Sequence, residues 1–330
     1  MRLVWQRDRD RILHCKAFRR LKHKTQVFVS PERDHYRTRL THTLEVSQVS
    51  RTVARALKLN EDLTEAIGLG HDMGHAPFGH VGEAALDKAY RAQVPGARFR
   101  HYEQSLRIAD ELEHNGEGLN LTWEVRDGIL HHSKGQSDLM ASQSSGRDLP
   151  STLEGQVVRI CDRVAYVNHD IDDAIRAGLI ERDELPPRCL QVLGDSHGRR
   201  ITTMVLAIVA ASSEVGGGGR VARERIAMEE SVREATDELK DWMFEHVYLL
   251  ESVDETPRVQ RVIHDLFEAF MEKPGLMRGE FAERGAGGSS VEEVEEQARK
   301  VCDYIAGMTD RFASATYARL FLPSSWAGAA

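Results

Sequence analysis

An all-α fold is what this sequence predicts, and three observations carry the prediction. Apolar residues recur at helical spacings wherever a pattern is readable, no convincing set of alternating strands appears, and polar or glycine-rich segments separate the periodic runs. With 330 residues, 41% hydrophobic and 29% charged, the chain is long enough for one large domain or two ordinary ones.

The elements follow in order. Residues 1 to 40 are strongly basic, with 12 Lys+Arg against 4 Asp+Glu, and Thr25 to Leu40 has room for a short hairpin around Ser30-Pro31-Glu32-Arg33. Residues 42 to 59 place Leu44, Val46, Val49, Val53, Ala56 and Leu57 at spacings of two to four, with Arg51, Arg55 and Lys58 between them. Asn60 breaks that run and suits the cap of a helix from Glu61 to about Gly70. Further helices read from about Glu103 to Leu112, Trp123 to His131, Leu153 to Ala177, Arg223 to Glu251, Pro257 to Met271 and Ser290 to Leu320. Ser133 to Ser151, Gly216 to Gly219 and Gly285 to Ser290 read as loops.

Composition excludes several classes. The longest purely apolar stretch, about Met204 to Ala211, falls far short of the ~20 residues a membrane helix needs. The first residues are charged where a signal peptide is apolar, so the expectation is a cytoplasmic protein. Cys15, Cys161, Cys189 and Cys302 form no CxxC pair, which argues against a disulfide framework and a zinc ribbon. Histidine is unevenly spread, with 12 of 15 in residues 1 to 170. Charge is uneven too: that segment carries 25 Lys+Arg against 23 Asp+Glu, and the remainder 19 against 29. A basic, His-rich front half suits an anionic ligand, and the acidic back half reads mainly as solvated helix faces.

The densest chemistry lies in Gly68 to Glu83, which holds three histidines, an aspartate, a glutamate and five glycines within 16 residues. Glycine costs a helix ~1 kcal/mol relative to alanine, so helix stability does not explain this composition. Two metal readings compete. His71 and His75 have the i, i+4 spacing of a zinc-protease helix, but Pro77, Gly70 and Gly74 disfavour a regular helix there. Alternatively His71 and Asp72 form a ligating doublet at a helix end, the His-Asp pair of the HD hydrolases. That reading requires a further His upstream and a further Asp downstream, each on a helix, and His42 and Asp162 answer it. Asp162 follows an apolar run, where an unpaired carboxylate is costly. The set His42, His71, Asp72 and Asp162 suits a divalent metal such as Mn, Mg, Fe, Co or Zn.

The sequence resembles the dGTPase-like branch of the HD superfamily, the deoxynucleoside triphosphate triphosphohydrolases. The likeness rests on Gln6 to Val29, Arg39 to Val46, Gly70 to Glu83, Phe99 to Ile108, Gly128 to Gly135, Asp162 to Asp173 and Asp303 to Arg311, which together run across most of the chain. Members of that branch carry a few dozen more residues before the position of Gln6. The resemblance implies an HD-domain metal-dependent core over residues 1 to 172. It also implies a helical region over 173 to 330 that packs on the core and contributes to oligomerisation or the base pocket.

The implied reaction cleaves a dNTP between the α-phosphorus and the 5′ oxygen, giving deoxynucleoside and inorganic triphosphate. His75, His80, Glu83 and His101 are the acid-base candidates; His80 and Glu83, three apart, share a helix face. By resemblance Tyr166 packs against the sugar C2′, Asp170 accepts from the 3′-OH, and Arg39 and Arg163 lie near phosphates. The basic run Arg19, Arg20, Lys22 and Lys24 reads as an exposed face or subunit contact. The implied partners are a dNTP substrate and further copies of the chain, as in a hexamer; the basic front leaves room for weak single-stranded DNA binding, and no membrane partner is expected. Two alternatives remain: another HD phosphohydrolase, such as a nucleotidase or a (p)ppGpp hydrolase, and a catalytically weak nucleotide or single-stranded DNA binder on the same scaffold.

Overall fold

A computed structural model describes residues 2–26, 37–133, 149–213, 225–278, 281 and 290–323. All regular elements among them are helical, as expected; the one β-type contact among the described residues is an isolated antiparallel bridge between Thr25 and Thr38. That bridge sits at the base of the expected hairpin, whose tip lies outside the described residues, as do most of Ser133 to Ser151, Gly216 to Gly219 and most of Gly285 to Ser290. No described helix is long and apolar enough to cross a membrane.

Helices α1 (Val4–His14) and α2 (Lys16–Arg20) open the chain, followed by α3 (Arg39–Ala56) and α4 (Glu61–Gly70). The Asn60 side chain accepts from the Leu63 amide at 3.0 Å, and Glu61 and Asp62 in the first turn complement the helix dipole, so α4 starts where its sequence says it should. After a turn come α5 (Gly79–Gln93) and α6 (His101–Arg107), which widens into a π turn over Ile108–Leu112, then α7 (Trp123–Leu130). The central helix α8 (Leu153–Ala177) begins on a Thr152 cap and ends at Gly178, whose φ of 73° is left-handed. Helices α9 (Pro187–Leu193), α10 (His197–Ser212), α11 (Glu230–Met243) and α12 (Leu249–Glu272) follow, and α13 (Val291–Ala306) and α14 (Asp310–Phe321) close the described chain.

Several boundaries differ from expectation. The run expected from Arg223 to Glu251 starts, within the described residues, at Glu230, and passes through a π turn at Phe244–Tyr248 into α12. Pro257 lies inside α12 instead of starting a helix. The single helix expected from Ser290 to Leu320 is two, separated at Gly307. Helices α1, α2, α5, α9 and α10 were not expected as elements. In α5 the glycines that open it hide the amphipathic pattern behind them.

Three apolar clusters hold the helices together. One joins α3, α8, α10 and α11 through Val53, Val164, Ile171, Met204 and Leu239. A second joins α5, α12 and α13 through Leu86, Phe267, Phe270 and Ile305. The third joins α1, α4 and α7 to α3 and α8 through Ile12, Ile67, Ile129, Val46 and Val158. Because α8 offers Val164 to one cluster and Val158 to another, it is buried on two faces, and the polar groups it carries are fixed in place.

Candidate functional site

Three helices converge on the residues singled out by sequence. The first turn of α3 supplies His42, the C-terminal end of α4 delivers His71 and Asp72, and the middle of α8 supplies Asp162. A regular helix does stop before His75: α4 ends at Gly70, with His71 at its cap. His42 Nε2 lies 3.0 Å from Asp162 Oδ1 and 4.0 Å from Asp72 Oδ2, while His71 Nε2 lies 3.5 Å from Asp72 Oδ1 and 3.7 Å from Asp162 Oδ1. His71 Nδ1 stands 2.8 Å from the Gly68 carbonyl and donates to it, whereas its Nε2 is buried without a hydrogen-bond partner. An orphaned imidazole nitrogen aimed at two carboxylates is what a bound divalent cation would satisfy, so these residues fit one. Burial raises Asp162, but the bond from His42 and the neighbouring imidazoles win and hold it well below the usual carboxylate range. Burial acts against His42 as well, and Asp162 overcomes it, so His42 is raised.

Arg39, fully buried in the first turn of α3, donates to Asp72 Oδ2 at 2.9 Å and to the Gln26 carbonyl at 3.4 Å. Two more imidazoles border the cluster. His132 lies with its Nε2 4.0 Å from Asp72 Oδ1 and its ring 4.9 Å from that of His71; burial and the charges of His71 and His101 push its pKa down to about 3, so it is neutral. Behind His42, His169 approaches Nδ1 to Nδ1 at 3.4 Å and pairs with Glu45 through Nε2. In sequence both stand as possible neighbours of the site, though His132 also reads as an ordinary C-terminal helix cap.

A second group is centred on Glu83 of α5. Glu83 accepts from the His101 amide at 2.9 Å and from His101 Nδ1 at 3.0 Å, and it lies 3.7 Å from His80 Nδ1 and 3.8 Å from His75 Nδ1. The rings of His75 and His101 stack at 3.9 Å, and His75 Nε2 reaches Asp72 Oδ1 at 3.2 Å, which ties this group to the carboxylates. Burial raises Glu83, but His101 and His80 outweigh it and leave Glu83 well below the carboxylate range. Burial likewise lowers His101, and the Glu83 carboxylate reverses that, leaving His101 raised. His75, buried beside Arg39 and His101, is held well below the usual histidine value and is neutral. His80 is the open member, with 43% of its side chain exposed.

The remaining candidates sit along α8. Tyr166, one turn beyond Asp162, faces His80 with ring centroids 6.4 Å apart, and Asp170, one turn further, is buried. Arg163 pairs with Asp237 of α11 at 3.2 Å. Lys24 departs from expectation: it is not on an exposed face but buried, donating Nζ to the carbonyls of His75 and Ala306. Asp173, which by pattern alone would face solvent, is also buried and pairs with Arg37 at 3.5 Å.

Comparison with known proteins shows what the chain is similar to. The HD domain profile matches residues 39–167, which span all four proposed ligands, and the phosphohydrolase-associated domain profile matches residues 226–319. The chain is 50% identical to the deoxyguanosinetriphosphate triphosphohydrolase-like protein of Caldanaerobacter subterraneus subsp. tengcongensis, over 99% of its own length and 87% of that protein. It is 46% identical to the like-named protein of Desulfatibacillum aliphaticivorans, over 98% of its own length and 89% of the relative. Among solved structures, a phosphohydrolase from Bacteroides thetaiotaomicron aligns over 79% of this chain and 56% of that one, at 20% identity and a TM-score of 0.48.

Proposed function

The chain belongs to the deoxyguanosinetriphosphate triphosphohydrolase-like family of HD-domain phosphohydrolases, and from that premise we propose that it cleaves deoxynucleoside triphosphates, dGTP among them, to deoxynucleoside and inorganic triphosphate. One juxtaposition carries the reading: a cluster of two imidazoles and two carboxylates adjoins a Glu83-centred histidine group through the 3.2 Å contact of Asp72 with His75. A site of the first kind suits a phosphate ester, and one of the second kind suits an alkoxide leaving group that needs a proton.

In this reading His42, His71, Asp72 and Asp162 hold a divalent ion, Mn, Mg, Fe, Co or Zn. When bound, it supplies Lewis acidity to a phosphoryl oxygen and acidity to a water. Arg39 fixes Asp72 and adds positive charge beside the phosphates. A water oxygen bonds to the α-phosphorus and gives up one proton to solvent, the bond from that phosphorus to the 5′ oxygen breaks, and the departing oxygen takes a proton. His80, the imidazole of the group that opens to solvent, donates it, and Glu83, 3.7 Å from His80 Nδ1, orients it while also fixing His101. The neutral His75 stacks on His101 and sets the spacing between the two groups. Tyr166 closes the space beside the sugar C2′, and Asp170 accepts from the 3′-OH; Arg163 reaches a phosphate once released from Asp237.

Catalysis belongs to residues 1 to 172 in this assignment, with 173 to 330 packing on them and contributing to a homo-oligomer. The reading also places the protein in the cytoplasm with its substrates, and leaves single-stranded DNA as a weak ligand of the basic front segment. The deciding experiment incubates the purified protein with each dNTP and Mn²⁺, singly and mixed, and resolves the products. Release of intact triphosphate supports the proposal; orthophosphate or pyrophosphate points to another HD phosphohydrolase, and binding without turnover points to a sensor.

A further inference from the structure

The turn that launches α5 is held in an unfavourable conformation by a residue from the far end of the chain. Phe78 has φ 65° and ψ 28°, the left-handed region, where a side chain with a Cβ is disfavoured. Gly79 follows it with φ 61°, and the first turn of α5 folds back so tightly that a Cβ on Gly82 would stand 1.8 Å from the Pro77 carbonyl oxygen. Such backbone strain persists only where the surroundings over-determine it. Here the Phe78 amide donates at 2.9 Å to Asp310 Oδ1, in the first turn of α14. The other carboxylate oxygen, Oδ2, accepts from the Thr25 amide at 2.7 Å and from the Thr25 hydroxyl.

A second strut reaches the same turn from the same place. Lys24, next to Thr25, bridges the carbonyl of His75 to that of Ala306, the last residue of α13. Burial of this ammonium lowers its pKa to about 7, a cost that its two carbonyl bonds offset. The α13–α14 junction therefore grips both ends of residues 75 to 78, two and five positions ahead of His80 and Glu83.

We propose that Asp310 is a positioning residue for the active site: by holding the left-handed turn at Phe78 against Thr25, it sets where His80 and Glu83 stand. It touches neither substrate nor reacting atoms, and it gives the C-terminal region a direct mechanical hold on the acid-base group. The inference rests on the roles proposed for His80 and Glu83.

Asp310→Ala and Asp310→Asn separate this from general stabilisation. An asparagine oxygen still accepts from the Phe78 amide, but its NH2 then faces the Thr25 amide, a donor, so that bond is lost; alanine loses both. Expected for Asp310→Ala are a kcat at least tenfold lower with KM and calorimetric Mn²⁺ affinity within threefold of wild type. Hydrogen exchange should accelerate over residues 74 to 84 and not over α8. Asp310→Asn, which keeps the Phe78 bond and loses the Thr25 amide one, should give a kcat and an exchange rate between those of wild type and Asp310→Ala. A kcat for Asp310→Ala within twofold of wild type, or joint loss of Mn²⁺ affinity and kcat, overturns the proposal. If Asp310→Ala does not fold, Asp310→Asn decides alone: faster exchange over 74 to 84 with a lower kcat supports it, and wild-type exchange or faster exchange with unchanged kcat overturns it. If the wild type releases no triphosphate, the functional reading falls instead, and the exchange pattern of Asp310→Ala still decides: acceleration confined to 74 to 84 supports the hold, and its absence refutes it.

Discussion

His71 donates its Nδ1 proton to the Gly68 carbonyl at 2.8 Å, and this turns Nε2, which has no hydrogen-bond partner, toward the carboxylates. The carbonyl is three residues back on α4, so the helix end itself prepares the ligand. Loss of an outer partner at a metal site costs ~10–100-fold in affinity, and loss of a ligand more. Asp162→Ala and His71→Ala should therefore lose Mn²⁺ binding and turnover together. His114→Ala, at an exposed position, should change neither. Calorimetric titration with Mn²⁺ alongside product assays measures both. Full turnover by Asp162→Ala would remove it from the ligand set.

The Glu83–His101 pair predicts a pH window. His101 is raised above its ordinary value, so its share of stability is complete below the unfolded histidine pKa and is lost as pH rises through the folded one. Glu83 is depressed, so its share is present above the unfolded carboxylate pKa and is lost as pH falls through the folded one. Between those limits the pair is charged on both sides. Glu83→Gln removes the carboxylate that keeps His101 raised, so the alkaline loss of stability should then move to lower pH. A fall in kcat of ~10²–10⁴-fold is expected for loss of general acid support. Thermal denaturation across pH with an unmoved alkaline limb would show that Glu83 does not hold the His101 charge.

Tyr166 lies one turn beyond Asp162 and faces His80 at 6.4 Å between ring centroids, so its ring borders both halves of the site. Replacing it with alanine opens that space without touching a proposed ligand. Tyr166→Ala should raise the relative kcat/KM for ribonucleoside triphosphates over deoxynucleotides, by about the 10–200-fold that one small group in a pocket is worth. Competition assays with GTP and dGTP test it. An unchanged ratio would place the sugar elsewhere.

Local signals make part of this legible in advance. The Asn60 cap marks α4 in sequence and apolar periodicity marks α8, and those helices span the expected residues 61–70 and 153–177. His42, His71, Asp72 and Asp162 are identifiable because three helices have to deliver them, and the structure brings them together. What stays hidden depends on distance in the chain. Asp310 is 232 residues from Phe78 and 285 from Thr25, and although it lies in the resembling segment Asp303 to Arg311, nothing in that segment says which distant turn it holds. Lys24 reads in sequence like its basic neighbours because burial is a property of the assembled core. The break at Gly307 is invisible because one glycine within a periodic run is compatible with either a continuous or a broken helix.

The glycines of the 68–83 segment supply the last prediction, because their purpose is now visible as close approach. A Cβ on Gly74 would meet the Ser105 amide nitrogen at 2.2 Å and the His101 carbonyl oxygen at 2.3 Å, both backbone atoms of α6. Neither can yield as a side chain would, so Gly74→Ala must push α6 outward and carry His101 away from Glu83. Overpacking of this kind costs ~1–3 kcal/mol in stability, and displacement of His101 should also depress kcat. Gly198, by contrast, lies in α10, where an added Cβ would meet no atom within 4 Å. There alanine only improves helix propensity, by up to ~1 kcal/mol. Thermal denaturation and dNTP turnover of Gly74→Ala against Gly198→Ala should thus diverge in both measurements. Equal behaviour of the two variants would mean that the α4–α5 turn does not pack on α6 this tightly.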